Sequence, residues 1–254
     1  MMARRPAHSS RAKAAPRHGL ARVLSKLGVC SRSQAERAVR DGRVSVDGRI
    51  VLDPERPADA ERQRICLDGQ PVAAATRVYL MLNKPRGIVV SAADERGRDT
   101  VYDLLDRAGL PWLGPVGRLD KASEGLLLLS NDSVWAARLT EPKHHVDKTY
   151  HVQVDCIPDA ALLERLTAGV TEQGEQLLAK RVALLRSGEK NAWLEIVLDE
   201  GRNRHIRRLL EAHRISVLRL IRVAVGSLAL GELAKGQWRH LTADEVIALS
   251  QESA

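Results

Sequence analysis

Residues 117–132 read Gly-Arg-Leu-Asp-Lys-Ala-Ser-Glu-Gly-Leu-Leu-Leu-Leu-Ser-Asn-Asp, and the organisation of the chain can be built outward from them. Leu126–Leu129 form a short apolar run between Gly125 and a polar Ser-Asn-Asp stretch. That pattern predicts a buried strand. Asp120 stands in the polar loop just before it, and Gly114, Pro115, Gly117 and Gly125 punctuate the loop. A loop fixed to a rigid strand is a common seat of function. Read alone, Asp120 also fits an ordinary turn carrying a solvated carboxylate.

On either side the pattern changes element by element. Val78–Leu82 reads as a second buried strand, ended by Asn83-Lys84-Pro85-Arg86-Gly87. Further strands are expected at Thr149–Val154, Lys180–Leu185, Ala192–Leu198 and Ser216–Val225. Helices are expected at Ser133–Thr140, Asp159–Ala168, Asn203–Ala212 and Thr242–Ser250. Pro158 and Gly169 bracket one of them, and Thr242 with Glu245 makes a capping box for the last. Strands and helices interleave irregularly, which indicates an α+β fold rather than a βαβ repeat. No solenoid-type repeat is present.

Upstream lies a smaller unit. Leu20, Val23, Leu24 and Leu27 fall at helical spacing, and Gly28 closes that helix. Ser31 and Gln34 have capping-box spacing before a second helix through Arg40. Val44 and Val46 alternate, Asp47-Gly48 reads as a hairpin turn, and Ile50-Val51 resumes the extended chain. Arg22, Lys26, Arg32, Arg37, Arg40 and Arg43 make the unit basic. The domain reading is a basic disordered arm (1–18), an α/β module (19–72), a linker (73–77), an α+β domain (78–247) and a tail (248–254).

The 254 residues are 44% hydrophobic, enough for a core, and carry a formal net charge of +8. That charge suits a polyanionic partner. Cys30, Cys66 and Cys156 are far apart and form no CxxC, so reduced thiols are expected rather than disulfides or structural zinc. Residues 1–18 have no apolar segment of the secretory type, and the apolar runs are too short to cross a bilayer. A soluble, cytoplasmic protein without membrane association is expected. His144-His145 lacks a third ligand at useful spacing, so no metal is expected. No P-loop occurs, and no GxGxxG follows a strand.

Two further runs carry chemistry. Tyr150 opens a strand in a chain without Phe and with 3% aromatics. It suits either core packing or stacking on a base. In residues 200–210, Glu-Gly-Arg-Asn-Arg-His-Ile-Arg-Arg-Leu-Leu, helical spacing puts Arg204, Arg207 and Arg208 on one face, opposite Ile206, Leu209 and Leu210. Such a face is either solvated or a phosphate contact.

Together these runs resemble the RsuA-type ribosomal RNA pseudouridine synthases. GRLDKASEGLLLLSND resembles the family signature, and LNKPRG resembles the strand and loop that open its catalytic domain. DKTYHV and EGRNRHIRRLLEA resemble its second and third motifs, and VGSLALGELAKGQWRHLT its C-terminal end. Residues 19–72 are similar to the small RNA-binding module first seen in a ribosomal small-subunit protein. The resemblance covers nearly everything after residue 18.

It implies a small α/β RNA-binding module followed by a mixed, mainly antiparallel-sheet catalytic domain. Asp120 is then the catalytic carboxylate and Tyr150 the ring that stacks on the target base. Ile206 lines the pocket. Arg207, with Arg204 as second choice, pairs with the carboxylate. Arg22, Lys26, Arg32, Arg37, Arg43, Arg118 and Arg208 are the implied RNA contacts. The reaction implied is isomerisation of a flipped-out uridine of ribosomal RNA, without cofactor, by a monomer. The module together with NRHIRRLLEA leans towards 23S rather than 16S RNA. One rival is a noncatalytic RNA-binding or ribosome-assembly protein. Another is a hydrolase using two acids, for which Glu124 is the nearby partner of Asp120.

Overall fold

The computed structural model describes residues 18–91, 97–105 and 109–252. The chain divides between Ala73 and Ala74 into two compact units. Residues 1–17 of the expected basic arm lie outside the described residues. His18, assigned to that arm from sequence, instead pairs with Ala58 in a short strand.

The first unit runs β1 (His18–Gly19), α1 (Leu20–Lys26), α2 (Arg32–Arg40), β2 (Val44–Val46), β3 (Arg49–Ile50), β4 (Pro57–Ala58), β5 (Ile65–Leu67) and β6 (Gln70–Pro71). The Ser31 hydroxyl accepts from the Gln34 amide, and the Gln34 side chain accepts from the Ser31 amide, completing the capping box of α2. Leu20, Leu24, Ala35 and Val39 of the two helices bury against Val44, Val46 and Ile65 of a sheet ordered β3-β2-β5-β6.

The second unit begins with β7 (Tyr79–Lys84), β8 (Gly114–Val116), β9 (Glu124–Ser130), α3 (Ser133–Thr140), β10 (Lys148–Val154) and α4 (Ala160–Ala168). It continues with β11 (Val170–Glu172), β12 (Glu175–Leu177), β13 (Arg181–Ser187), β14 (Ala192–Leu198) and α5 (His205–Ala212), then β15 (Val217–Val225), β16 (Leu228–Ala229), β17 (Trp238–His240) and α6 (Ala243–Gln251). Among the described residues the main sheet has nine strands, ordered β13-β14-β10-β15-β9-β7-β17, with β16 against β15 and β8 against β9. β9 and β15 run parallel and the other pairings in this sheet are antiparallel.

β9 is the central element. Leu126–Leu129 are each at most 1% exposed. Leu127 and Leu129 pack with Leu80, Leu82 and Leu119 on one face, Leu126 and Leu128 with Met81, Trp135 and Leu139 on the other. Burying each leucine stabilises the fold by roughly 1.5–3 kcal/mol. The polar end of the run is structural. Asp132 caps α3 through the amides of Val134 and Trp135 and accepts from the Tyr79 hydroxyl at 2.9 Å.

Two boundaries differ from the sequence reading. Asn131 bonds the Val78 amide and the Thr76 carbonyl, and Arg77 reaches Asp132 at 3.1 Å. Residues 76–77 are therefore tied to the second unit rather than being free linker. At the other end α6 continues to Gln251, Leu249 is fully buried, and the Ser227 amide donates to Glu252. Residues 248–251 of the expected tail are thus helix, one residue beyond the expected helix end at Ser250, because the apolar face still has core to cover.

β9 and β15 approach most closely at Gly125, whose φ is +99°. A Cβ there would lie 2.3 Å from the Arg222 carbonyl oxygen. Gly125→Ala is expected to lower unfolding free energy by about 2–5 kcal/mol, from left-handed strain plus overpacking. A denaturant midpoint within error of the parent would contradict this account.

Candidate functional site

The loop between β8 and β9 lies at one wall of a cavity of about 290 Å³. Asp120, Arg118 and Ser123 come from this loop, Tyr150 from β10, and Arg204, Ile206 and Arg207 from the start of α5. Residues far apart in the sequence meet because β10 and β9 flank β15, while α5 lies across the β10–β14 half of the sheet. Tyr150 is half-buried and packs against both cores of that face.

The loop is held from beneath by Lys84. This side chain is fully buried, and its ammonium donates to the carbonyls of Pro85 (3.0 Å), Asp120 (3.2 Å) and Ser123 (2.8 Å). The Ser123 amide closes the turn onto the Asp120 carbonyl, and the Gly87 amide bonds that of Lys121. Burial pushes the Lys84 ammonium down to about 8, against the pull of the Glu124 and Asp120 carboxylates. The sequence showed Lys84 only as part of LNKPRG. A lysine at the buried end of an apolar strand was the available signal.

Glu124 is 2% exposed and accepts from Arg219 at 2.7 and 3.0 Å and from Lys235 at 2.7 Å. The Arg219 hydrogen bonds, and then Lys235, hold its carboxyl down to about 2. A carboxylate so committed is no general acid, which removes the two-acid hydrolase reading.

Arg207 is half-buried. Its guanidinium leans on the carbonyls of Ala122 (3.4 Å) and Val217 (3.5 Å). Burial, then Arg204, pull its pKa below the usual arginine range, while Asp120 opposes the shift. Among the described residues no ion pair within 4 Å joins Arg207 to Asp120, so the two attract across space.

The other arginines depart from the expected shared face. Arg204 precedes α5 with φ +51°, outside the helix, and is exposed at the cavity. Arg208 bonds Glu172 and Glu175 at 2.6 Å each, on the β11–β12 hairpin, and is not part of the cavity wall. As placed, its guanidinium is engaged by this hairpin rather than by the cavity. Ile206, Leu209 and Leu210 are buried as their spacing implies. Helical periodicity placed the apolar side correctly but could not foresee the left-handed residue before the helix, or the hairpin opposite Arg208. His205 is 3% exposed and flanks the cavity, and burial pushes its imidazole below the ordinary range.

In the first unit Arg22, Lys26, Arg32, Arg37 and Arg43 are all exposed. Arg32 pairs with Glu36 and Glu55, Arg43 with Asp68, and Lys26 bonds His18. No group of three or more potential metal ligands occurs among the described residues, and no described helix is long and apolar enough to cross a membrane.

Residues 78–212 match the family described as RNA pseudouridylate synthase, and residues 19–63 match the S4 domain. An uncharacterized RNA pseudouridine synthase of Mycobacterium tuberculosis is 38% identical over 235 residues, covering 91% of this chain and 92% of its own. The ribosomal large subunit pseudouridine synthase B of Bacillus subtilis is 37% identical over 230 residues, covering 89% and 93%. A solved pseudouridylate synthase structure superposes with a TM-score of 0.64 at 31% identity, over 91% of this chain and 99% of that one.

The Glu124 cluster makes an acid-stability prediction. The group's folded pKa lies below the ordinary 4.5, so its contribution is complete above about 4.5 and is lost as pH falls towards 2. Glu124→Gln should flatten the stability profile in that window and lower stability at neutral pH by about 2 kcal/mol. Denaturant midpoints from pH 6 to 2 measure both effects.

Proposed function

The chain belongs to the RNA pseudouridylate synthase family, an isomerase family, with an S4 domain ahead of the catalytic domain, and from that premise we propose that it converts a uridine of ribosomal RNA, in the large subunit by preference, to pseudouridine. The observation that carries the reading is the cavity itself. One uncommitted carboxylate, Asp120, shares it with an aromatic ring, Tyr150, under a rim of arginines.

The reaction breaks the bond from ribose to a uracil nitrogen, turns the ring, and rejoins it through carbon. Substrate and product are isomers, so redox balance requires no cofactor. The target base leaves its helix to reach the carboxylate. Tyr150 offers a stacking face, worth roughly 1–3 kcal/mol per base in comparable contacts. Asp120 acts through its carboxyl group on the base or the sugar, and Arg207 holds a positive charge nearby as charge develops. Arg118 and Arg204, exposed at the rim, take the flanking phosphates. Ile206 gives the pocket an apolar wall. Arg22, Lys26, Arg32, Arg37 and Arg43 of the first unit add affinity for folded RNA.

The large-subunit preference rests on similarity to the Bacillus enzyme, which covers most of both chains. A monomer acting in the cytoplasm, where ribosomal RNA is made, completes the reading.

Asp120→Asn should abolish pseudouridine formation, by at least about a thousandfold, while RNA affinity stays within about threefold. Near-wild-type turnover on a cognate transcript would sink the assignment. Deleting residues 1–72 should raise the RNA Kd by tenfold or more, at roughly 1.4 kcal/mol per decade. Single-turnover rates at saturating enzyme should then change little. A collapse of those rates would contradict the separation of binding from chemistry.

A further inference from the structure

The main sheet has a second face, turned away from the cavity. Strand alternation sends Tyr150, Leu198 and Leu220 to the cavity side, and His151, Gln153, Trp193 and Arg219 to the other. Register pairs Arg186 with Trp193, Trp193 with Gln153, and Gln153 with Arg219. Those four residues form one row across β13, β14, β10 and β15.

Two irregularities border the row. In β13 the pairing jumps from Leu184–Leu194 to Arg186–Trp193, leaving Leu185 extra. In β15 it jumps from Val217–Val154 to Arg219–Gln153, leaving Leu218 extra. Without the bulge at Leu185, period-two alternation from Leu184 would put Arg186 on the cavity side, whereas Arg219 follows Leu220 in unbroken alternation. The β13 bulge therefore re-aims Arg186 to the level of Trp193. The two extra leucines are left 44% and 42% exposed. The guanidinium carbons lie 5.1 Å (Arg186) and 5.9 Å (Arg219) from the indole centroid.

The charges on this face are unequally used. Arg219 is bound to Glu124, and Arg181 to Glu195. Arg186 is exposed and, among the described residues, has no carboxylate partner, while Glu189 and Lys190, of opposite charge, share the turn that follows β13. A guanidinium lying over a ring keeps its N–H edge available for phosphate, and a part-exposed indole offers a face to a base.

We propose that the row Arg186–Trp193–Gln153–Arg219 is a second RNA contact, holding a single-stranded segment of the substrate RNA on the sheet face opposite the catalytic cavity. Trp193 stacks on a base, and Arg186 takes its phosphate. The choice of RNA rests on the functional reading above and on charge: the chain is +8 overall, and Arg186 at the end of the row is a cation with no carboxylate partner among the described residues. The contact adds affinity and register but stands outside the chemical step.

The test uses full-length protein carrying Arg186→Ser or Trp193→Leu. A labelled single-stranded oligouridylate is titrated over a salt series, and single-turnover isomerisation is followed on a ribosomal RNA transcript at saturating enzyme. Arg186→Ser should weaken oligouridylate binding about three- to tenfold and reduce the salt slope by about one. Trp193→Leu should weaken it roughly tenfold. Single-turnover rates should match wild type in both. Unchanged affinity and slope in Arg186→Ser would overturn the proposal, and this exposed site still decides if Trp193→Leu fails to fold. If wild type binds as described yet isomerises no uridine, the assigned activity falls and this contact stands.

Discussion

The second unit depends on one close approach. Gly125 lets β9 run against β15 with backbone nearly touching backbone, where any side chain would strike the Arg222 carbonyl. That contact is the parallel junction of the main sheet, between the β10–β14 half and the β7 half. The Arg222 side chain, itself buried, closes it by donating to the Leu126 carbonyl at 2.7 Å. The Asp120 loop is only four residues upstream of Glu124, where β9 begins. Its position therefore follows from how β9 is fixed.

Charge completes what packing starts. Lys84 carries a buried ammonium whose desolvation costs stability, yet its three donors all go to main-chain carbonyls around Asp120. Glu124 answers it electrostatically and is saturated by Arg219 and Lys235. The two buried ionisable groups next to the Asp120 loop, Lys84 and Glu124, are thus bound to partners. Asp120 keeps its carboxylate towards the cavity, facing Arg207 across space. The same Arg219 belongs to the Trp193 row, so the start of β9, just after the Asp120 loop, is tied to that row.

Much of this was legible in the sequence. The four leucines predict a buried strand because the run is shorter than a helix needs and is bounded by Gly125 and the turn-forming Ser-Asn-Asp. The spacings Ser31–Gln34 and Thr242–Glu245 gave helix starts because a side chain three residues on can reach back to the cap. Periodicity failed where tertiary partners decide. It grouped Arg204, Arg207 and Arg208, but the left-handed backbone at Arg204 removes the first from the helix, and two acids on a neighbouring hairpin take the last. Short strands such as β8 and β17 carry too few residues to show alternation.

The sequence by itself determined the kinds of element, their order, and that an acidic loop precedes the central strand, since those follow from local pattern and turn chemistry. Tertiary structure decided which charged residues are available. Arg207 and Arg208 are neighbours with the same side chain, yet one faces the cavity and the other is locked to Glu172 and Glu175. A side chain's freedom depends on partners distant in sequence, and residue spacing carries no record of them. Asp120 is read as an acid from the chain alone. That it is held by Lys84 and left uncommitted is a property of the folded sheet.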